Sequence, residues 1–252
     1  MSQKTILVIG SSNTDMTAKT AELPRPGETV LGGVFTMGAG GKGANQAVAA
    51  QRLGGKVQFI CKVGQDMFGD NSIVQYKQEG LDTSGILLLQ LETPIPSVLK
   101  AAQLAHKAGA MVVLNPAPAC PLPEELFQYI DLFIPNETEL STFSGMPVGS
   151  IAEAEKAAAA MQAKGVGKLI VTMGSKGALI CEGGPSVFVP AHKVEAVDTT
   201  AAGDTFCGAL CVAISESSSL KEAAEFACAA SALTVQKMGA QNSIPYRKDL
   251  NI

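Results

Sequence analysis

The run Asp198-Thr199-Thr200-Ala201-Ala202-Gly203-Asp204 carries the most chemically loaded spacing in the chain. It precedes Phe206, Leu210 and Ile214, which fall on one face of a helix. Small residues at a helix start leave the backbone amides unobstructed. The positive end of the helix dipole there favours an anion, such as a phosphoryl group in transfer. Asp204 can accept a proton from an attacking hydroxyl. An aspartate in this position also suits a plain N-cap. The flanking Ala-Ala-Gly favours the anion reading over the cap.

A second candidate is Gly38-x-Gly40-x-x-Gly43, which matches a dinucleotide fingerprint as a bare pattern. Its context is wrong for that role. The fingerprint glycines should follow the first strand, whereas Gly10 opens here into Ser-Ser-Asn-Thr-Asp. Nor is it a Walker A loop, because Gly43 follows Lys42 where Ser or Thr is required. Alone, the segment is as compatible with structural punctuation as with a ligand site. Further polar residues follow apolar runs: Asn13 and Asp15, Glu92, Asn115, Asn136 and Glu139, and Thr172 with Gly174-Ser175. As isolated residues, Asn13 and Asp15 suit turns, Glu139 a solvated helix start and Lys42 surface charge. Their repeated placement after apolar runs points to one site assembled from many loops.

Those loops need strands and helices to hold them. Short apolar runs at 5–9, 57–62, 86–91, 111–114, 132–134, 169–172 and 187–189 predict strands, and 29–37 has strand composition. Helices are predicted from about 42 to 53, 70–80, 97–107, 151–164, 204–215 and 220–238. Unbroken apolar strands alternating with helices predict an α/β fold whose parallel sheet is covered on both faces. Ligands then bind at the carboxyl ends of the strands. With 252 residues, no evident linker and no repeat, residues 1–252 are expected to form one domain.

The 46% hydrophobic content excludes disorder. A net charge of −4 argues against a nucleic-acid partner. No run approaches a membrane span, and the short apolar run after Lys4 is unlike a signal peptide. Six cysteines without CxxC pairing and two distant histidines make zinc and disulfide frameworks poor readings. The expected location is cytoplasmic.

Taken together, the segments resemble the ribokinase-type (PfkB) carbohydrate kinase family. Gly40-Gly41-Lys42-Gly43-Ala44-Asn45-Gln46-Ala47 looks like its first signature, and residues 198–206 look like its second. Gln90-Leu91-Glu92, Asn115-Pro116-Ala117-Pro118-Ala119, Pro135-Asn136-Glu137-Thr138-Glu139 and the tail 239–245 follow the family in order. The resemblance implies a three-layer α/β/α fold with a mostly parallel sheet and a β lid. It also implies transfer of the γ-phosphate of ATP to the 5-hydroxyl of D-ribose.

By the same resemblance, Asn13, Asp15, Gly41, Lys42, Asn45 and Glu92 contact the sugar, and Asp204 is the base. Ala201, Ala202 and Gly203 form the anion hole. Asn136, Thr172, Gly174, Ser175 and Gly203 lie on the nucleotide side. Asn136 and Glu139 position Mg²⁺ through waters, while Asp198, Thr200, Gly239 and Ser243 correspond to a monovalent-cation site, usually K⁺. Carboxylates and amides suit vicinal hydroxyls, and a neutral hole with one base suits phosphoryl transfer.

The chain departs from the family between residues 81–84 and 88–92, where it is about fifty residues short, too many for loop trimming. In the family that stretch carries lid strands, further body structure and some sugar contacts. The lid that remains is expected at about 16–20 and 29–37, with weaker exclusion of water and exposed strand edges. A natural deletion, an omission from the sequence and a truncation by design all give this pattern. The family's lid often makes a homodimer contact, which is expected here in reduced form. Three rivals follow from these residues: a kinase for fructose or a nucleoside, a non-catalytic sugar or nucleotide binder, and an NAD-dependent oxidoreductase.

Overall fold

Strands that are apolar on both faces must be covered twice, and the side chains of this chain sort accordingly. In β1 (Thr5–Ile9), Ile6 and Val8 enter one core while Leu7 and Ile9 turn toward the other. In β5 (Gly85–Leu89), Ile86 and Leu88 join the first core, and Leu87 and Leu89 the second. The computed structural model describes residues 5–61, 63, 66–69, 71–72 and 85–250. Most of the helix expected at 70–80 lies outside them.

Besides β1 and β5, the main sheet contains β4 (Lys56–Ile60), β6 (Met111–Leu114), β7 (Leu132–Phe133), β8 (Lys168–Thr172), β9 (Gly177–Cys181) and β10 (Val187–Pro190). Its order is β10-β9-β8-β7-β6-β5-β1-β4. The strands from β4 to β8 run parallel, whereas β9 and β10 add an antiparallel edge. The sheet is thus mostly parallel, as expected, with an antiparallel pair at one edge. The turn Gly174–Lys176 is too short for a crossover, so β9 returns as a hairpin.

Helices α1 (Lys42–Arg52), α5 (Ala202–Ser215) and α6 (Leu220–Thr234) cover the first face. Helices α2 (Ile95–Lys107), α3 (Glu137–Ser144) and α4 (Ile151–Ala163) cover the second. The result is the expected three-layer α/β/α arrangement. Helix α6 stops at Thr234, four residues before the expected end.

A separate two-stranded sheet pairs β2 (Asn13–Lys19) with β3 (Val34–Gly40), antiparallel, from Asn13↔Gly40 to Lys19↔Val34. The lid strands expected at 16–20 and 29–37 are therefore displaced, and Asn13–Asp15 is strand rather than loop. Pairing decides this: the backbone of Asn13 and Asp15 finds partners along the glycine-rich end of β3. One face of the ribbon carries Met16 opposite Met37 and Ala18 opposite Phe35, all exposed.

One close approach matters for the site. A Cβ on Gly208 of α5 would lie 2.7 Å from the Gln46 carbonyl and 2.8 Å from the Ala49 Cβ of α1. The missing side chain lets the two helices meet, one turn beyond Asp204.

Candidate active site

The parallel strands deliver polar residues at their carboxyl ends, as open α/β sheets do. Glu92 follows β5, Asn115 follows β6, Asn136 follows β7 and Thr172 ends β8. Asn13 and Asp15 enter from β2, and Lys42 and Asn45 from the start of α1. These residues, with Gly41, Glu139, Thr200, Ala201, Gly203 and Asp204, line one cleft of about 450 Å³.

Helix α5 begins in an unusual way. Its N-cap, Ala201, has φ 60° and offers no side-chain cap to the first turn. A non-glycine residue in the left-handed region is strained, by on the order of 1–3 kcal/mol, and such strain gathers at functional sites. The first α-helical bond runs from the Thr205 N–H to the Ala201 carbonyl, at 2.8 Å. Before it, the Ala202 N–H donates to the Thr199 carbonyl at 3.3 Å, and Ala201 and Gly203 line the cleft edge, where a helix start favours an anion.

Asp204 is 6% exposed. Burial pushes its carboxyl above the ordinary aspartate range, while Lys42 and the Asn45 and Gln46 amides pull it back. Asn45 Nδ2 donates to one carboxylate oxygen at 3.0 Å and Gln46 Nε2 to the other at 3.1 Å. Asn45 Oδ1 is buried with no hydrogen-bond partner among the described residues, so it remains able to accept from a ligand hydroxyl.

Glu92 ties the loop after β1 to the start of α1. Its Oε2 accepts from the Ser11 hydroxyl and from the Lys42 backbone N–H, the latter at 3.0 Å. Burial and the nearby Glu92 charge raise the Asp15 carboxyl. Across the cleft, Asn136 and Glu139 form a reciprocal capping box at the start of α3, with bonds of 2.8 and 2.9 Å. Burial also raises Glu139, and the Asp204 charge adds to that rise.

The structure thus brings together every residue expected on the sugar side. On the nucleotide side it brings in Asn136, Thr172 and Gly203, with Asn136 bridged to Thr172 across neighbouring strands. Gly174 and Ser175 sit one turn further out, exposed and outside the cleft lining. Ala202 also stands outside the lining, and its carbonyl accepts from Ser231 Oγ at 2.9 Å.

Asp198 joins two segments: one oxygen accepts from the Thr200 N–H and hydroxyl, the other from the Gly239 N–H at 2.9 Å. The Thr200 hydroxyl bond leads in lowering the Asp198 carboxyl below its ordinary range. Ser243 is buried nearby in the chain, its hydroxyl donating to the Ala240 carbonyl. Asn115 and Thr199 line the cleft without having been assigned a role from sequence. Asn115 carried a signal, a polar residue closing an apolar strand.

A larger cleft of about 670 Å³ lies between β10, α5 and α6, lined by His192, Glu216, Phe226 and Arg247 among others. Size does not make it the site. The Arg247 guanidinium is bound to the Glu216 carboxylate and lies over the Phe226 ring. The one first-turn carboxylate among the lining residues of this cleft, Glu222, is engaged by the Ser219 N–H and hydroxyl in the capping box of α6.

A doubly covered α/β sheet with a proton acceptor at an uncapped helix start defines a class: phosphotransferases that act on a hydroxyl. Comparison with known proteins gives the family. The profile for "pfkB family carbohydrate kinase" matches residues 3–90 and 82–247, and the chain belongs to that family of sugar kinases. A ribokinase from Haemophilus influenzae is 39% identical over 297 aligned positions, covering 98% of this chain and 97% of the relative. A deoxyribokinase from Salmonella typhi is 36% identical over 299 positions, with the same coverage. The structure of an Arabidopsis thaliana ribokinase complexed with ribose and ATP superposes with a TM-score of 0.92 at 30% identity, covering 99% and 98% of the two chains. The two matched segments of the profile meet at residues 82–90, where the chain is shorter than its relatives.

Proposed function

We propose that this chain transfers the γ-phosphoryl group of ATP to the 5-hydroxyl of D-ribose, giving D-ribose 5-phosphate and ADP. The observation that carries the reading is the buried Asp204 carboxylate, beside the uncapped start of α5 and inside the cleft that holds Asn13, Asp15, Lys42, Asn45 and Glu92.

In this reading the sugar hydroxyls are held by Asn13, Asp15 and Asn45, whose acceptors and donors suit a polyol. Asp204 takes the proton of the 5-hydroxyl. The resulting oxygen forms the new P–O bond as the bond between the γ-phosphorus and the β–γ bridging oxygen breaks, and ADP leaves with that electron pair. The amides around Ala201, Ala202 and Gly203 face the charge on the transferred group. Thr172, Gly174 and Ser175 belong to the nucleotide side.

Glu139 and Asn136 fit a hydrated Mg²⁺. Two raised carboxylates, Glu139 and Asp204, share the cleft with Lys42, so a further cation there is electrostatically favoured. The capping box engages Asn136 Oδ1 and one Glu139 oxygen, which suits contact through water. Such an ion would neutralise phosphate charge. Asp198, held ionised and joined to Thr200 and Gly239, supports a K⁺ site that includes Ser243. The exposed Met16, Phe35 and Met37 face of the ribbon is proposed as a homodimer contact.

A second reading, 2-deoxy-D-ribose as acceptor, is favoured by the similarity to a deoxyribokinase. ADP release with Mg²⁺, K⁺ and ATP should be greatest with D-ribose in a panel with 2-deoxy-D-ribose, fructose and adenosine. A preference for any other member would overturn the ribose assignment.

A further inference from the structure

Behind the cleft wall lies a chain of buried side-chain amides that ends on the proposed base. Gln46 is fully buried, and its Nε2 donates to Asp204 Oδ1 and to Asn115 Oδ1, both at 3.1 Å. Its Oε1 accepts from Gln90 Nε2 at 2.6 Å. Asn115 Nδ2 donates to the Ile134 carbonyl at 2.9 Å.

Chemistry fixes the direction of every bond in this chain. An ionised Asp204 can only accept, so Gln46 must present its NH₂ to it. The Ile134 carbonyl can only accept, so Asn115 must turn its oxygen toward Gln46. With the Gln46 oxygen then facing away, Gln90 must donate. Gln90 is itself confined: a Cβ on Gly10 would lie 2.1 Å from its Oε1. Flipping Gln46 would put its oxygen against a carboxylate.

Asn45 and Gln46 are consecutive residues of α1, so the Asp204 carboxylate is bridged between two donors and cannot rotate freely. Each of its oxygens still keeps a lone pair for a substrate hydroxyl. Protonating Asp204 on the Gln46 side would set O–H against N–H.

We propose that Gln46 is a positioning residue for Asp204, with its amide held in the donating sense by Gln90 and Asn115. This rests on the kinase reading above and extends it to Gln46 and Gln90, which stand outside the cleft lining. Other charged or titratable groups also face Asp204: Lys42 from α1, Glu92 after β5, Glu139 from α3 and Cys207 from α5. The test must therefore separate the amide chain from these.

Three variants do so. Gln46→Met keeps the shape and removes the donor. Gln90→Met removes the anchor only. Gln90→Glu offers an acceptor in place of a donor and so favours the flipped Gln46. The full chain is assayed for kcat and KM across pH. The Asp204 carboxyl carbon is titrated by ¹³C NMR, assigned through its loss in Asp204→Asn.

Gln46→Met should lower kcat about 10- to 100-fold, with KM for sugar and ATP within about threefold. The Asp204 titration and the acid limb of kcat should move up together by about one pH unit. Gln90→Glu should act in the same direction, and Gln90→Met more weakly; these two keep the test alive if Gln46→Met does not fold. Folded variants with wild-type titration and wild-type kcat would overturn the proposal. A wild-type chain that makes no ADP would refute the kinase reading instead, and the carboxyl titration would still decide whether the amide chain sets Asp204.

Discussion

The proposed base is a buried carboxylate, and the groups around it oppose the effect of that burial on its charge. Burial raises Asp204, and Lys42, Asn45 and Gln46 oppose the rise without cancelling it. Because the folded value is raised, the fold penalises the ionised form. The stability linked to this group is present below the ordinary aspartate value and is lost as pH rises through the folded value. Activity runs the other way, since only the ionised carboxylate accepts a proton. A pH profile of kcat should therefore fall on the acid side at a pH clearly above 3.8, the ordinary aspartate value. Full activity persisting down to pH 4 would contradict this assignment. Asp204 was legible in the sequence through Ala201-Ala202-Gly203 before it. Gln46 and Gln90 were visible only as letters inside motifs, because their role depends on a contact between α1 and the end of β5 that no local spacing encodes.

At the scale of elements, the site depends on how closely α1 and α5 meet. Gly208→Ala would set a methyl group 2.7 Å from the Gln46 carbonyl, and a backbone atom cannot yield as a side-chain tip can. The substitution should cost about 1–3 kcal/mol in denaturant unfolding, as overpacking does. It should also lower kcat more than it raises KM, since parting the helices draws Asn45 and Gln46 away from Asp204. An unchanged unfolding midpoint would show that the helices have room to spare. Apolar runs marked β1, β5, β6 and β8 to within two residues, because burial on both faces demands unbroken apolar sequence. The same logic misplaced the ribbon: β2 and β3 are polar or glycine-rich where they pair, and only the register Asn13↔Gly40 identifies them. The hairpin strand β9 was missed as well, since Gly177–Cys181 follows β8 without an intervening helix.

Over the whole molecule, the chain assembles its cleft while being shorter than its relatives. The H. influenzae relative aligns over 297 positions with a chain of 252 residues, yet β5 still pairs in register with β1 and delivers Glu92 to the cleft. The β2–β3 ribbon bears the exposed Met16, Phe35 and Met37. Light scattering should report a dimer that Phe35→Asp converts to monomer; a monomeric wild type would remove the ribbon as an interface. The shorter length could be read from the sequence only through the resemblance, because the flanking residues themselves look ordinary. Everything proposed for the cleft turns on Asp204 acting as the base of a working sugar kinase. The direct measurement is ADP production from ATP and D-ribose, with Mg²⁺ and K⁺, by the wild type and by Asp204→Asn. Turnover should depend on the sugar and fall about 10²- to 10⁴-fold in the variant while sugar binding persists. Equal turnover in both proteins, or none in a wild type that binds sugar and ATP, would contradict the proposal.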